Sequence, residues 1–289
     1  MIMKNSILTA PSIEVTELDY LFIEMTGKNC NLKCKHCYID FKDNKKVKDF
    51  IHIDKIKQAL TDLKNEKIKY IHLSGAEPML HPDFNSILRF CLKHTSTVIH
   101  TNGMTINDKK ARFLRKVEEE NNLNSEIIFK ISIDHYDERK NDELRGRGSF
   151  RKSIHALQSL NKYGFNPILS IVNYWKEDEE SLISNFKKLC LNMGLETDDN
   201  NFNIIPYINK EMYENIDSTD CKDLKMLDCA KSRTLTSNGV YSCLMLVGDH
   251  RGRCGSSFQD YSKKNYLETQ MCSQCIKNKL GLFSLRWSN

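Results

Sequence analysis

The sequence predicts an α/β fold: an open, partial (β/α)6 barrel with a small cysteine-rich C-terminal extension. Three observations lead there. Between residues 19 and 206, short apolar runs alternate with stretches whose apolar residues recur at helical spacing. Alternation on this scale means parallel strands, because parallel neighbours need crossovers. The six strand units fall short of the eight of a closed barrel. After residue 207 the alternation stops, and Gly, Ser and Cys become frequent. The expected division is an N-terminal extension over 1–18, the partial barrel over 19–207 and the extension over 208–289, with the boundary near 208–225.

The strands are expected over Tyr20 to Met25, Tyr70 to Leu73, Val98 to Thr101, Ile127 to Ile133, Ile168 to Val172 and Phe202 to Ile205. Between them Ile56, Ala59, Leu60 and Leu63 form one helix face, with Asp54 as its cap. Phe84, Ile87, Leu88 and Cys91 form a second, and Ala111, Leu114 and Val117 a third. Phe150, Ile154 and Leu157 form the next, and Leu182, Phe186, Leu189 and Met193 the last. Cys91 and Cys190 fall on apolar faces and read as core residues.

Composition narrows the function classes. With 40% hydrophobic residues among 289, a packed core is expected rather than disorder. The net charge of +5 comes from scattered lysines, so a nucleic-acid partner is not expected. No run of about 18 apolar residues implies a membrane span. The first residues lack the apolar core and cleavage site of a signal peptide. Eleven cysteines in such a chain suggest reduced thiols in a cytoplasmic protein, where cysteine spacing argues for metal rather than disulfides.

Cys30, Cys34 and Cys37 follow the first strand with the spacing C-x3-C-x2-C. Three thiolates on one loop can hold three irons of a [4Fe–4S] cubane and leave the fourth open, the mark of a reactive centre. The segment resembles the signature of the radical SAM superfamily, CxxxCxΦC, with His36 at Φ and Tyr38 directly after. The resemblance implies a (β/α)6 partial barrel with its chemistry at the C-terminal strand ends. It also implies that S-adenosylmethionine (SAM) chelates the open iron and is cleaved to a 5′-deoxyadenosyl radical, with an electron donor such as flavodoxin or ferredoxin.

Further SAM contacts follow from the same resemblance. Gly75-Ala76-Glu77-Pro78 departs by one methyl from the family's GGEP-like motif, whose backbone and glutamate meet the methionyl amine. The extra methyl of Ala76 removes left-handed backbone freedom there. Thr101-Asn102-Gly103 matches a TNG segment that lines the cavity. Ser132 and Asp134 share one strand face and correspond to a segment that holds the ribose. Arg145 corresponds to an arginine that pairs with the SAM carboxylate, a role suited to its bidentate fork. Asn173 is expected to face the same cavity, and His135 and Tyr136 to lie near it.

Four later cysteines, Cys229, Cys243, Cys272 and Cys275, could saturate a second [4Fe–4S] cluster or a zinc ion. Gly239-Val240-Tyr241-Ser242-Cys243 reads as a hairpin strand and Cys272-Ser273-Gln274-Cys275 supplies a C-x2-C. Both resemble the SPASM and twitch extensions of the superfamily, and one C-x2-C fits the shorter, one-cluster twitch type. Cys221 and Cys254 are left over. A second cluster near the substrate implies uptake of an electron from a substrate radical. The expected enzyme is therefore a radical SAM oxidoreductase acting on a ribosomally made peptide or on a small molecule, such as an alcohol. Only about 18 residues precede the first strand, which mildly favours a small molecule or a peptide presented by a separate partner. The competing class is a non-enzymatic zinc protein that binds nucleic acid.

Overall fold

A computed structural model of the protein describes residues 10–39, 50–121, 123–209 and 224–278. The chain enters through β1 (Ser12–Glu14) and then builds β2 (Tyr20–Glu24), β3 (Tyr70–Ser74), β4 (Thr97–Thr101), β5 (Ile127–Ser132), β6 (Ile168–Asn173) and β7 (Phe202–Pro206). β2 to β7 are parallel neighbours in sequence order, as the alternation predicts. β8 (Ser232–Thr236), β9 (Gly239–Tyr241), β10 (Arg253–Gly255) and β11 (Lys264–Tyr266) follow.

The nine-stranded sheet has the order β10-β9-β8-β2-β3-β4-β5-β6-β7. β8 pairs parallel to β2, from Tyr20↔Ser232 to Ile23↔Leu235. β9 turns back antiparallel on β8, so Gly239 does open a hairpin strand. The sheet thus runs on past residue 207 through a strand that the sequence does not announce. All five residues of β8 are buried, yet it reads Ser-Arg-Thr-Leu-Thr. β1 pairs with β11, which ties the chain's early residues to the late cysteine-bearing segment.

Helices α1 (Ile53–Asp62), α2 (Phe84–Leu92), α3 (Asp108–Glu119), α5 (Ser149–Lys162) and α6 (Glu179–Asn192) lie between the strands. Their predicted apolar faces join the sheet in one continuous core. Phe186 and Cys91 are fully out of water, and burying a side chain such as Phe186 contributes roughly 1.5–3 kcal/mol. The cap of α1 differs from the expectation: His52 is the N-cap and its ring accepts from the Asp54 N–H, which leaves Asp54 in the first turn. Two helices escape the apolar pattern, α4 (Glu138–Arg145) and α7 (Gln270–Lys277). Among the described residues no helix is long and apolar enough to cross a membrane.

Candidate active site and second thiol site

The cysteine loop leaves β2 and is fastened to the next strand end. The Glu77 N–H donates to Thr26 Oγ1 and to the Asn29 carbonyl. Glu77 caps the short turn Pro78–Leu80, where its Oε1 accepts from the Met79 N–H. The same carboxyl accepts from Thr101 Oγ1 at 2.8 Å and from the Asn102 N–H at 2.9 Å. Asn102 in turn donates to Asn31 Oδ1 at 2.7 Å and to Cys30 Sγ at 3.7 Å. Glu77 is therefore a buried strut joining the ends of β3 and β4 to the cysteine loop. It stands behind the cavity lining, one hydrogen bond from Thr101 and Asn102, which do line it.

Gly75 shows where the turn needs glycine. Its φ is +112°, and a Cβ there would lie 2.8 Å from Glu24 Oε1. Ala76 has no positive φ. The methyl that departs from the family pattern thus falls where an ordinary residue fits, and the strained position keeps its glycine.

Asp134 is fully buried at the end of β5. Its Oδ2 accepts from Arg145 Nη1 at 2.8 Å and lies 3.2 Å from His36 Nε2, and its Oδ1 accepts from the Val172 N–H. Burial opposes its ionisation, but the Arg145 guanidinium and His36 outweigh burial and hold the carboxyl well below the usual carboxylate range. Asp134 is an anchor for two cavity residues rather than a cavity residue itself. Asn173 also differs from expectation: both of its amide atoms close the local turn onto the Glu177 backbone. His135 pairs with Glu177 at 2.7 Å and, with Tyr136, lines a separate shallow surface depression.

The remaining predicted residues meet around one cavity of about 1180 Å³, its open mouth included. Cys30, Cys34, Cys37, His36, Tyr38, Gly75, Ala76, Ser132 and Arg145 all line it, as do Thr101 and Asn102. Tyr38 donates to the Gly75 carbonyl across the cavity wall. Burial pushes the Cys30 thiol up to about 11 and raises that of Cys34, so binding metal there would release protons. Two buried polar atoms at this cavity, His36 Nδ1 and Arg145 Nε, have no partner among the described residues. Three thiols around an open space, with orphaned nitrogens beside them, fit an iron–sulfur cluster and a polar ligand.

Sequence reasoning missed the opposite wall. Ile205, Pro206, Tyr207, Leu244, Met245 and Met271 close the cavity with apolar surface. His100 lines it too and bonds to His72 at 2.8 Å, and burial holds both imidazoles neutral. Strand-end alternation could have flagged His100, two residues before Asn102. Nothing local marks the residues from the extension.

Cys229, Cys243, Cys272 and Cys275 line a second, smaller pocket of about 310 Å³, its open side included, among Leu227, Leu246 and Leu267. Burial raises the Cys229 thiol to about 12, and the nearby Cys272 adds to the shift. Cys243 is also raised by burial, then by Cys275 and Cys229. The thiols thus stand close enough to feel one another in apolar surroundings. Among the described residues no three His, Cys, Asp or Glu groups converge on a single ion position; both thiol sets surround a space. Cys254 lies outside this pocket and packs on the main core, and Cys221 lies outside the described residues. Met271 lines both the central cavity and the thiol pocket.

Glu24 gives a pH signature. It is 6% exposed, accepts from the Gly27 and Thr26 N–H groups, and keeps Oε1 without a partner among the described residues. Burial raises its carboxyl from 4.5 to about 7. A raised carboxyl contributes stability below its unfolded pKa and loses it as pH rises through the folded value, here between about 4.5 and about 7. The loss approaches about 3 kcal/mol. Glu24→Gln is therefore expected to melt above the parent near pH 8, with the gain shrinking towards about pH 5. Thermal melts at both pH values check this, and a gain independent of pH would refute it.

The comparisons agree with this geometry. A family model described as the radical SAM superfamily matches residues 25–189, more than half of the chain. The antilisterial bacteriocin subtilosin biosynthesis protein AlbA of Bacillus subtilis is 27% identical over 163 residues, 56% of this chain and 34% of that protein. Mycofactocin maturase MftC of Mycobacterium tuberculosis is 29% identical over 159 residues, 55% of this chain and 36% of that protein. The chain spans about a third of the length of these curated relatives. The crystal structure of Streptococcus suis SuiB bound to precursor peptide SuiA shares the fold, with a TM-score of 0.62 at 15% identity over 85% of this chain and 64% of that one. With the family match over the strand ends that carry the three-thiol cavity, the chain belongs to the radical SAM superfamily, enzymes whose cofactors are a [4Fe–4S] cluster and SAM.

Proposed function

We propose that this enzyme is a peptide-modifying maturase with two [4Fe–4S] clusters. Cys30, Cys34 and Cys37 hold the catalytic cluster on the barrel, residues 19–207. Cys229, Cys243, Cys272 and Cys275 hold an auxiliary cluster on the extension, residues 208–289. The observation that carries the two-cluster reading is Met271, which lines both the cavity and the four-thiol pocket. Similarity to AlbA and MftC, and the fold shared with peptide-bound SuiB, support a peptide as substrate.

When bound, the cluster and SAM supply a 5′-deoxyadenosyl radical that abstracts hydrogen from carbon. The chain's own residues position and exclude. Gly75 and Ala76 offer backbone at the cavity edge, and Tyr38 fixes that edge through the Gly75 carbonyl. Arg145, oriented by Asp134, presents its guanidinium to a ligand carboxylate, and Ser132 presents a hydroxyl to a ribose. The apolar wall from Ile205 to Met271 takes the substrate and keeps water from it. A cluster held by Cys229, Cys243, Cys272 and Cys275 would supply an acceptor for an electron lost by the substrate, and a flavodoxin- or ferredoxin-type protein would supply the electron for the catalytic one.

The test is anaerobic reconstitution, iron analysis and reaction with a library of ribosomally made peptides. Expected are about eight irons per chain, as two cubanes require, and SAM-dependent products lighter by a pair of hydrogens. SAM cleavage with about four irons and no altered peptide, alongside oxidation of small alcohols, would overturn the peptide reading and favour the small-molecule one.

A further inference from the structure

Among the described residues Arg233 is the largest side chain that is fully out of water. It sits in β8, beside the strand that leads into the cysteine loop. Nη1 donates to the carbonyls of Cys229 at 2.9 Å and of Ser232 at 2.8 Å, and Nη2 to that of Lys263. Nε is buried and has no partner among the described residues. Among the described residues no carboxylate is paired with the guanidinium; the groups that bear on its charge are first the thiol of Cys254, with which it also shares a side-chain hydrogen bond, then the thiol of Cys229, the phenol of Tyr261 and the thiol of Cys243.

A guanidinium stays charged in a protein. Buried without a counter-charge it is costly, and carbonyl dipoles offset only part of that cost. Cys229, whose carbonyl it grips, and Cys243 both line the four-thiol pocket. A cubane held by four thiolates carries net negative charge, because the thiolates outweigh the positive core. Among the described residues the fold therefore holds a fixed cation with no carboxylate partner beside a pocket suited to an anionic cluster.

We propose that Arg233 is a positioning residue: it fixes the Cys229 peptide, and its charge balances the cluster in the four-thiol pocket and raises that cluster's reduction potential. This rests on the assignment of a second cluster to that pocket. A nearby positive charge favours the more negative, reduced form, and net charge and hydrogen bonding are the levers a protein has on such potentials.

The test compares the full-length enzyme with Arg233→Met and Arg233→Lys by iron analysis, EPR-monitored redox titration and melting of the iron-free proteins. In Arg233→Met the second cluster's reduced-to-oxidised ratio at fixed potential is expected to fall about tenfold, a shift of about 59 mV for one electron. The potential of the first cluster stays unchanged, and Arg233→Lys retains most of the second cluster's parent value. The iron-free Met variant melts at or above the parent, because it no longer buries an unbalanced charge. Two clusters at parental potentials in Arg233→Met would overturn the proposal. So would an iron-free Met variant that melts far below the parent or fails to fold, since the protein alone would then hold the guanidinium. A parent enzyme with only about four irons refutes the cluster assignment itself, and the iron count alone reports that case.

Discussion

Replacing Cys30, Cys34 and Cys37 together by alanine is expected to remove about four irons per chain, one cubane, and to reduce SAM cleavage to the background of iron-free protein. Replacing Cys272 and Cys275 removes a similar amount of iron but leaves SAM cleavage in place while product formation is lost. The asymmetry follows from placement. The first three thiols share a cavity with Tyr38, Gly75 and Arg145, whereas the other four line a separate apolar pocket that has only Met271 in common with it. Iron analysis and chromatography of 5′-deoxyadenosine measure both arms. SAM cleavage surviving in the first variant, or lost in the second, would contradict the division of labour.

The second large effect is on stability. Asp134→Asn leaves Arg145 buried with its charge unpaired and frees the His36 ring from its anchor. Breaking a buried ion pair in this way costs roughly 3–5 kcal/mol, which lowers the melting temperature by about 10 °C at this chain length. The double replacement Asp134→Asn with Arg145→Met recovers a large part of that loss, because no charge is then stranded. Thermal melts of the three proteins close the cycle. A double variant no more stable than Asp134→Asn would show that the node holds the fold through packing rather than through charge.

What the sequence revealed depended on pattern. The parallel strands and apolar helix faces were legible because burial on a sheet demands Val, Ile, Leu and Phe at fixed periods. The three cysteines of the first loop and the Cys272–Cys275 pair were legible because spacing on a short loop or one helical turn is a local property. α4 was not, although it carries Arg145: in Glu-Arg-Lys-Asn-Asp-Glu-Leu-Arg only Leu144 is apolar. Its borders were readable in principle, with Asp137 capping the start and Gly146 ending it. β8 could not be read as a strand core, because its burial is satisfied by hydrogen bonds and by Arg233 rather than by apolar side chains. The carboxyls of Glu77 and Asp134 accept from the N–H groups of Asn102 and Val172, both at the cavity, whereas Asn173 closes a local turn onto the Glu177 backbone; long-range geometry of the first kind leaves no trace in local spacing.

The parallel pairing of β2 with β8 bears on how the chain is made. Roughly 200 positions separate Tyr20 from Ser232, and a ribosome covers that distance in roughly ten to forty seconds. Throughout that interval one edge of β2 has no partner, and an open edge of an apolar strand invites pairing with other chains. Closure of the sheet, of the cavity wall around Met271 and of the four-thiol pocket all wait for residues 224–278 to emerge. Assembly of the second site thus follows synthesis of the whole barrel. Truncation before β8 would expose the strand that carries the first cysteine loop, and such fragments are expected to aggregate rather than to accumulate as soluble barrels.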